Sequence, residues 1–176
     1  MRTRIALLMV MLVGVAAVAS SAPAGTGESA ASKTVVGVAA GDKRFSTLVT
    51  LVKQAGLAKT LSGKGPFTVF APTNAAFAKL KQTAPDTFAA VTTDKALLAK
   101  VLTYHVLPKN VPSTAAVAAA KKNASVKTVQ GEPIKLSIRA GKLTLNGTSK
   151  VIVADVKATN GVIHAIDTVI VPPSVS

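Results

Sequence analysis

Cysteine is absent from this chain. That excludes structural disulfides, thiolate metal sites, a cysteine nucleophile and a lipid-modified cysteine anchor together. Histidine is scarce: His105 and His164 stand alone and far apart, without an H-x-x-x-H spacing. A structural zinc site usually wants four N or S ligands, so no metal centre is expected. No G-x-S-x-G elbow and no S-x-x-K pair accompanies the histidines. A nucleophile needs an activating base and a group that orients it, and none is legible, so neither enzyme activity nor a cofactor is expected. Gly63-Lys64-Gly65-Pro66 is not a phosphate loop, because Pro66 lacks one of the amides such a loop uses. Tryptophan is absent, with five Phe and one Tyr. Without stacking platforms, sequence-specific nucleic-acid binding is not expected.

Acid is the other shortage. Seven Asp and Glu stand against 21 Lys and Arg, a formal net charge of +14. Such an excess draws a polyanion: an acidic glycan, a phosphate-bearing polymer or an anionic membrane. It equally serves to keep an alanine-rich surface in solution. The cations are scattered singly except at Lys43-Arg44 and Lys121-Lys122, and both readings stay open at this level.

Long apolar runs are confined to the start. Arg2 and Arg4 precede an apolar stretch from Ile5 to Val18, and Ala17-Val18-Ala19 and Ala22-Pro23-Ala24 each offer a small-residue cleavage site. Residues 1–24 therefore read as a signal peptide, its apolar run falling short of the roughly 18 residues a spanning helix needs. The processed chain is expected to have no transmembrane segment and to be secreted, periplasmic or extracellular, with surface association as a variant. Residues 25–33 read as a flexible leader, and residues 34–173 as one domain without repeats or linkers. A secreted domain without disulfides rests on its core, and a chain of roughly 150 residues buries about 70% of its unfolded surface.

The first half reads as helical. Phe45, Leu48, Val49 and Val52 form an i, i+3, i+4, i+7 stripe that Gly56 stops. Phe67 to Phe70 is a short buried strand ended by Pro72, and Thr73 or Asn74 caps a helix through Leu80. Another helix starts near Thr93 with Asp94 in its first turn, where the dipole favours a carboxylate, and 113–122 is an alanine-rich helix. The second half reads as antiparallel strands: 134–138, then 143–145, 151–156 and 162–171, with turns at Ala140-Gly141, Asn146-Gly147 and Asn160-Gly161. Asn-Gly is the strongest short hairpin signal, because a type I′ turn needs positive φ at both central residues. Helices first and hairpins second predict an α+β architecture.

Polar residues inside apolar runs are the candidate site. In the last strand Val162, His164 and Ile166 alternate with Ile163, Ala165 and Asp167, which puts the histidine and the aspartate on opposite faces. His105 follows Val101 by four residues, next to Tyr104. It reads either as a buried histidine bonded to backbone or to a side chain such as Asn74, or as a partner contact beside Tyr104. His164 reads as a strand histidine bonded across the sheet. Asn123-Ala-Ser125 and Asn146-Gly-Thr148 fit the N-glycosylation pattern, and equally fit polar turns.

Three ordered strings complete the reading: Phe67-Thr-Val-Phe-Ala-Pro-Thr-Asn-Ala-Ala-Phe77, Leu102-Thr-Tyr-His-Val-Leu-Pro108 and 161–172. In that order and spacing the chain resembles the fasciclin domain family over nearly all of 34–173. The resemblance implies an α+β fold, a β-sandwich or wedge of antiparallel hairpins with helices packed beside it. It implies a secreted, non-catalytic module of adhesion, matrix interaction or host association, whose partner is a cell-surface or matrix protein or an acidic glycan. In animal members the Tyr-His region is implicated in integrin contact, which carries over to Tyr104 and His105. Asn74 stands where many members have Asp. The candidate binding residues are Tyr104 and His105, with Asn74 and His164 beside them, in a short alanine-rich chain of bacterial character. Some relatives resemble carriers of an apolar ligand such as a carotenoid or lipid. That alternative requires an exposed apolar cleft.

Overall fold

A computed structural model describes residues 33–175. The signal peptide expected over 1–24, and all but the last residue of the leader expected over 25–33, lie outside the described residues. Seven helices come mostly first: α1 (Val35–Gly41), α2 (Ser46–Gln54), α3 (Ala58–Leu61), α4 (Asn74–Thr83), α5 (Pro85–Thr93), α6 (Lys95–Tyr104) and α7 (Ser113–Lys121). The strands are β1 (Phe67–Pro72), β2 (Val106–Leu107), β3 (Ser125–Lys127), β4 (Pro133–Arg139), β5 (Lys142–Leu145), β6 (Ser149–Ala158) and β7 (Gly161–Ile166). They form one sheet in the order β2-β1-β7-β6-β5-β4-β3, so the architecture is α+β as expected.

Local chemistry sets most boundaries. Thr73, not Asn74, caps α4, accepting from the Ala76 amide at 3.4 Å. Asp94 sits one position before α6 rather than in its first turn, where its carboxylate accepts from the amides of Ala96 and Leu97 at 2.7 and 3.2 Å. A 3₁₀ turn, Lys43–Phe45, leads into α2 with Asp42 as its cap. The apolar stripe from Phe45 is buried at Phe45, Leu48 and Val52, with Val49 half-buried and Leu51 joining them. Helices α1, α3 and α5 were not legible. Val35, Val36 and Val38 are β-branched and Gly37 interrupts them, so α1 has low intrinsic propensity and stands on its Thr34 cap and tertiary contact. In α5, Pro85 occupies the first helical turn, where its missing N–H costs nothing.

The sheet departs from the expected antiparallel hairpins at one place. β1 runs parallel to β7, pairing Phe67 with Gly161 through Pro72 with Ile166, while β2 returns antiparallel on its other side. Both central strands are buried from their second residue onward, the near-continuous burial expected of strands covered on both faces. β7 also ends at Ile166, short of the expected Val171.

Alternation sends Val69, Ala71, Ile163 and Ala165 into one core with the helices α1 to α6, and Phe70 and Ile166 into a second. The second core is closed by Val126, Ile134, Leu136, Leu143 and Leu145 from β3 to β5, and by Ala116 and Ala120 of α7. β6 is the bent element linking the halves, with register shifts between Val151 and Val153 and between Val153 and Val156. Bulges of this kind let a sheet curl over its own core.

Two of the three expected turns carry positive φ: Ala140 and Gly141 at 48° and 72°, and Asn146 and Gly147 at 50° and 73°. The third does not. Ala158 pairs with Gly161, so Thr159 and Asn160 are the turn residues, and neither Asn160 nor Gly161 is left-handed. Glycine is needed at 161 for another reason: a Cβ there would collide with the Phe67 carbonyl, and one at Gly65 with the Asn160 carbonyl.

Candidate functional site

The expected binding residues are polar groups built inward. Tyr104 is fully buried at the end of α6 and belongs to the second core. Its hydroxyl donates to the Pro133 carbonyl at 3.0 Å and accepts from Asn146 Nδ2 at 2.8 Å. Asn146 Oδ1 in turn accepts from the Lys135 amide at 2.9 Å. The phenol thus ties the last turn of a helix to the β4 and β5–β6 connections, and burial holds its pKa above the ordinary tyrosine value.

His105 is 2% exposed and caps α6 with φ −80° and ψ 0°. Its Nδ1 meets the Val101 carbonyl at 2.7 Å, and its Nε2 accepts from the Ile170 amide at 3.2 Å. An amide can only donate, so the ring is neutral with its proton on Nδ1. Its own carbonyl accepts from the Phe70 amide at 2.8 Å. Burial lowers the imidazole pKa to about 4, against a smaller upward pull from the Val101 carbonyl. The bond to Asn74 entertained for this ring is not made.

His164 shows the opposite tautomer. Nδ1 accepts from the Asp155 amide at 3.2 Å, so Nε2 carries the proton and donates to the Val111 carbonyl at 2.9 Å. The ring lies 5.7 Å from Phe70, tilted by 30°. Asp155 sits in the β6 irregularity at φ 58°. Its carboxylate accepts from the Ser113 amide at 2.8 Å and from the Ser113 hydroxyl, fixing the start of α7. Those bonds from Ser113 hold the Asp155 carboxyl below the usual range. Asp167 faces elsewhere, accepting from the Lys150 amide at 2.8 Å and from Thr168. The opposite-face assignment of His164 and Asp167 therefore agrees with their partners.

Asn74 is half-buried at the start of α4. Its Oδ1 accepts from the Thr47 amide at 3.0 Å and its Nδ2 donates to the Lys43 carbonyl at 2.9 Å. It pins the 3₁₀ turn and the start of α2 to α4. The four residues do not share one exposed surface. Tyr104, His105 and His164 are enclosed, because strand alternation and the α6 end turn them into the cores, and Asn74 lies apart from them.

Asn160 is a hub that the turn reading concealed. Its Oδ1 accepts from the Val35 amide at 2.8 Å, and its Nδ2 donates to the carbonyls of Leu61 and Gly63 at 2.8 Å each. Its carbonyl accepts from the Phe67 amide at 2.9 Å. One side chain and one carbonyl thus hold α1, the end of α3 and the first residue of β1. Thr68 plays a smaller version of this role, donating to the Lys109 carbonyl at 2.7 Å and accepting from the Val111 amide at 2.8 Å. For Thr68 a polar side chain between Phe67 and Val69 is the signal; for Asn160, beside Thr159 and Gly161, no such signal stands in the sequence.

The surface holds two neighbouring clefts of about 680 and 420 Å³, which share Asn110, Ala158 and Gly161. Lys64 lines the first, and Asp155 and Lys157 the second. An apolar cavity of about 30 Å³ lies between α1, α2 and β1, with His105 in its wall. Among the described residues no three His, Asp or Glu gather as a metal site, and no helix is long and apolar enough to cross a membrane.

Comparison with known proteins identifies this arrangement. The fasciclin domain model matches residues 43–172. The chain is 46% identical over 140 residues to protein sll1483 of Synechocystis sp., covering 80% of this chain and 74% of that protein. It is 38% identical over 141 residues to transforming growth factor-beta-induced protein ig-h3 of Sus scrofa, covering 80% of this chain but 20% of that protein. With immunogenic protein MPB70 of Mycobacterium bovis it shares 34% identity over 126 residues, covering 69% of this chain and 57% of that one. Its fold matches a FAS1 domain pair from the insect cell adhesion molecule fasciclin I with a TM-score of 0.70 at 20% identity, over 82% of this chain and 53% of that one. The chain belongs to the fasciclin domain family.

Proposed function

We propose that this chain is a secreted, non-catalytic binding module of the adhesion type. In this reading residues 1–24 are its signal peptide, 25–33 a leader and 34–173 the working domain. Its partner is a cell-surface or matrix protein or an acidic glycan. The observation that carries the reading is that all four ring nitrogens of His105 and His164 are engaged with backbone groups. A general base needs a free lone pair within reach of a substrate, and neither ring offers one. The residues that look chemical are structural, which leaves the outer surface to make contacts. The family supports the adhesion class, since a fold relative is a cell adhesion molecule.

Tyr104 and His105 enter this function indirectly, by holding the α6 end against β4 and Ile170. The test is attachment of the purified domain to cells and to matrix proteins and glycans, with a variant such as Tyr104→Phe measured beside it. Attachment should fall only in proportion to the fraction unfolded. Failure to attach to any surface, with a hydrolase activity found instead, would reverse the reading.

The carrier alternative has less support. The enclosed apolar cavity holds about 30 Å³, room for roughly one water. The clefts of about 680 and 420 Å³, which reach the roughly 300–1,000 Å³ of ligand pockets, are lined in part by Lys64, Asn110, Asn160, Asp155 and Lys157. A visible spectrum and lipid extraction of protein from its native source decide it.

A further inference from the structure

The sheet is covered unequally. On β3, β4 and β5 the residues Val126, Ile134, Leu136, Leu143 and Leu145 point into the second core. Alternation turns the residues between them outward: Lys127, Lys135, Arg139 and Lys142, all exposed. Lys150 joins them from β6, where the buried Ser149 before it points inward. Register places Arg139 directly opposite Lys142, Thr144 opposite Ser137 on one side and opposite Lys150 on the other. A side chain at Gly147 would meet the Arg139 guanidinium, so that cation reaches along the face to the β5–β6 turn.

Among the described residues no carboxylate forms an ion pair with these cations. The ion pair formed among the described residues joins Arg44 to Asp42, on the other half of the molecule. The nearest acids already hold hydrogen-bond donors. Asp167, at the β6 edge, accepts from the Lys150 amide and from Thr168. Glu132, in the β3–β4 connection, accepts from Gln130 Nε2 at 3.0 Å. Like charges directly opposite on neighbouring strands destabilise a sheet, and Arg139 and Lys142 stand in that relation.

We infer that the outer face of β3 to β6 is a docking surface for an extended anionic polysaccharide bearing sulfate or phosphate groups. Arg139 and Lys142 stand one strand spacing apart, roughly 5 Å. Lys150 lies diagonal to Lys142 beyond Thr144, and Lys127 and Lys135 continue along β3 and β4. The cations thus spread over the face as contacts for a chain laid across it. The chemistry disfavours other polyanions. No aromatic residue lies on these strands to stack a base. Of the exposed large apolar residues, Ile152 lies on β6, while Ile138 alternates with Arg139 toward the other side of β4 and Val129 follows β3, fewer on this face than a membrane-seated face wants. The inference rests on the secreted-module reading and names one partner within it.

The test uses heparin as the probe, with binding measured over a range of salt at pH 7. One variant carries Lys135→Gln, Arg139→Gln, Lys142→Gln and Lys150→Gln. Its control carries Lys53→Gln, Lys59→Gln, Lys81→Gln and Lys95→Gln, removing the same charge from exposed helical positions. The face variant should lose at least about tenfold in affinity, and its salt slope should fall by about 3, from counterion release at four contacts. The control should lose less than about threefold. Equal losses in the two variants would overturn the inference, as would elution of the wild-type protein at very low salt. It is also overturned if single-stranded DNA or phosphatidylserine vesicles bind as tightly through the same residues.

The double variant Arg139→Gln, Lys142→Gln keeps the test alive if the quadruple variant misfolds. It should weaken heparin binding while its melting temperature holds or rises; a lower melting temperature with unchanged heparin binding would contradict the inference. Heparin binding lost while attachment to matrix protein stands would support this face and leave the module reading intact. Attachment and heparin binding both absent from the wild-type protein would overturn the two readings together.

Discussion

Gly161 and Phe67 face each other across the parallel β1–β7 ladder with no room for a side chain: a Cβ on Gly161 would lie inside the Phe67 carbonyl. The obstacle is backbone, which cannot rotate away. Gly161→Ala is therefore expected to destabilise the domain by about 2–3 kcal/mol or more. Gly41 is the control, since nothing lies within 4 Å of a Cβ there. Gly41→Ala, at the end of α1, should be neutral or stabilising by up to about 1 kcal/mol. Chemical denaturation of the two variants checks the contrast.

Asn160→Ala should cost about 2–4 kcal/mol, because it orphans the Val35 amide and the carbonyls of Leu61 and Gly63 at once. Hydrogen exchange should localise the damage, with the α1 amides losing protection before those of β4 and β5. Uniform loss across the sheet would mean that Asn160 is a global element instead of the clasp of α1.

His105→Ala should cost about 2–4 kcal/mol. The Ile170 amide loses its acceptor, at about 1–3 kcal/mol, and the space adds to an apolar cavity already of about 30 Å³. Unchanged thermal unfolding would place His105 at the surface.

Stability should also fall as pH drops from about 6.5 toward 4. The folded pKa of His105 is about 4, below the roughly 6.5 of an unfolded histidine. The unfolded chain therefore binds the proton first. The contribution is fully present above pH 6.5 and is lost as pH falls through the folded pKa, about 3 kcal/mol in all. Asp42 and Asp155 are lowered from an ordinary carboxylate value, so their losses begin mainly below this window. Denaturation at pH 7 and pH 5 measures the difference. A flat profile would contradict the burial of His105.

Elements whose signals are local were legible in the sequence. The alternation of Ile134 and Leu136 and the Ala140-Gly141 turn each act within a few residues, and Asp94 marked the start of α6 one position out. Parallel pairing of β1 with β7 was not, because nothing in Phe67–Pro72 names a partner about ninety residues away. The site was half legible. Histidine and tyrosine among apolar residues marked the right positions, but not whether they face in or out. Direction depends on what packs opposite: Tyr104 turns to β4 and Asn146, and His105 to Ile170. Asn160 was misread because Asn-Gly has a strong turn meaning that here yields to close packing of backbones.

The central claim is that the two histidines are internal struts and not a reactive or contact surface. Nitrogen-15 NMR of the imidazole rings at pH 7 tests it most directly, since it reports which nitrogen holds the proton. The account predicts two fixed and opposite tautomers, with the proton on Nδ1 in His105 and on Nε2 in His164. Two rings averaging between tautomers, as in solvent-exposed histidines, would contradict it.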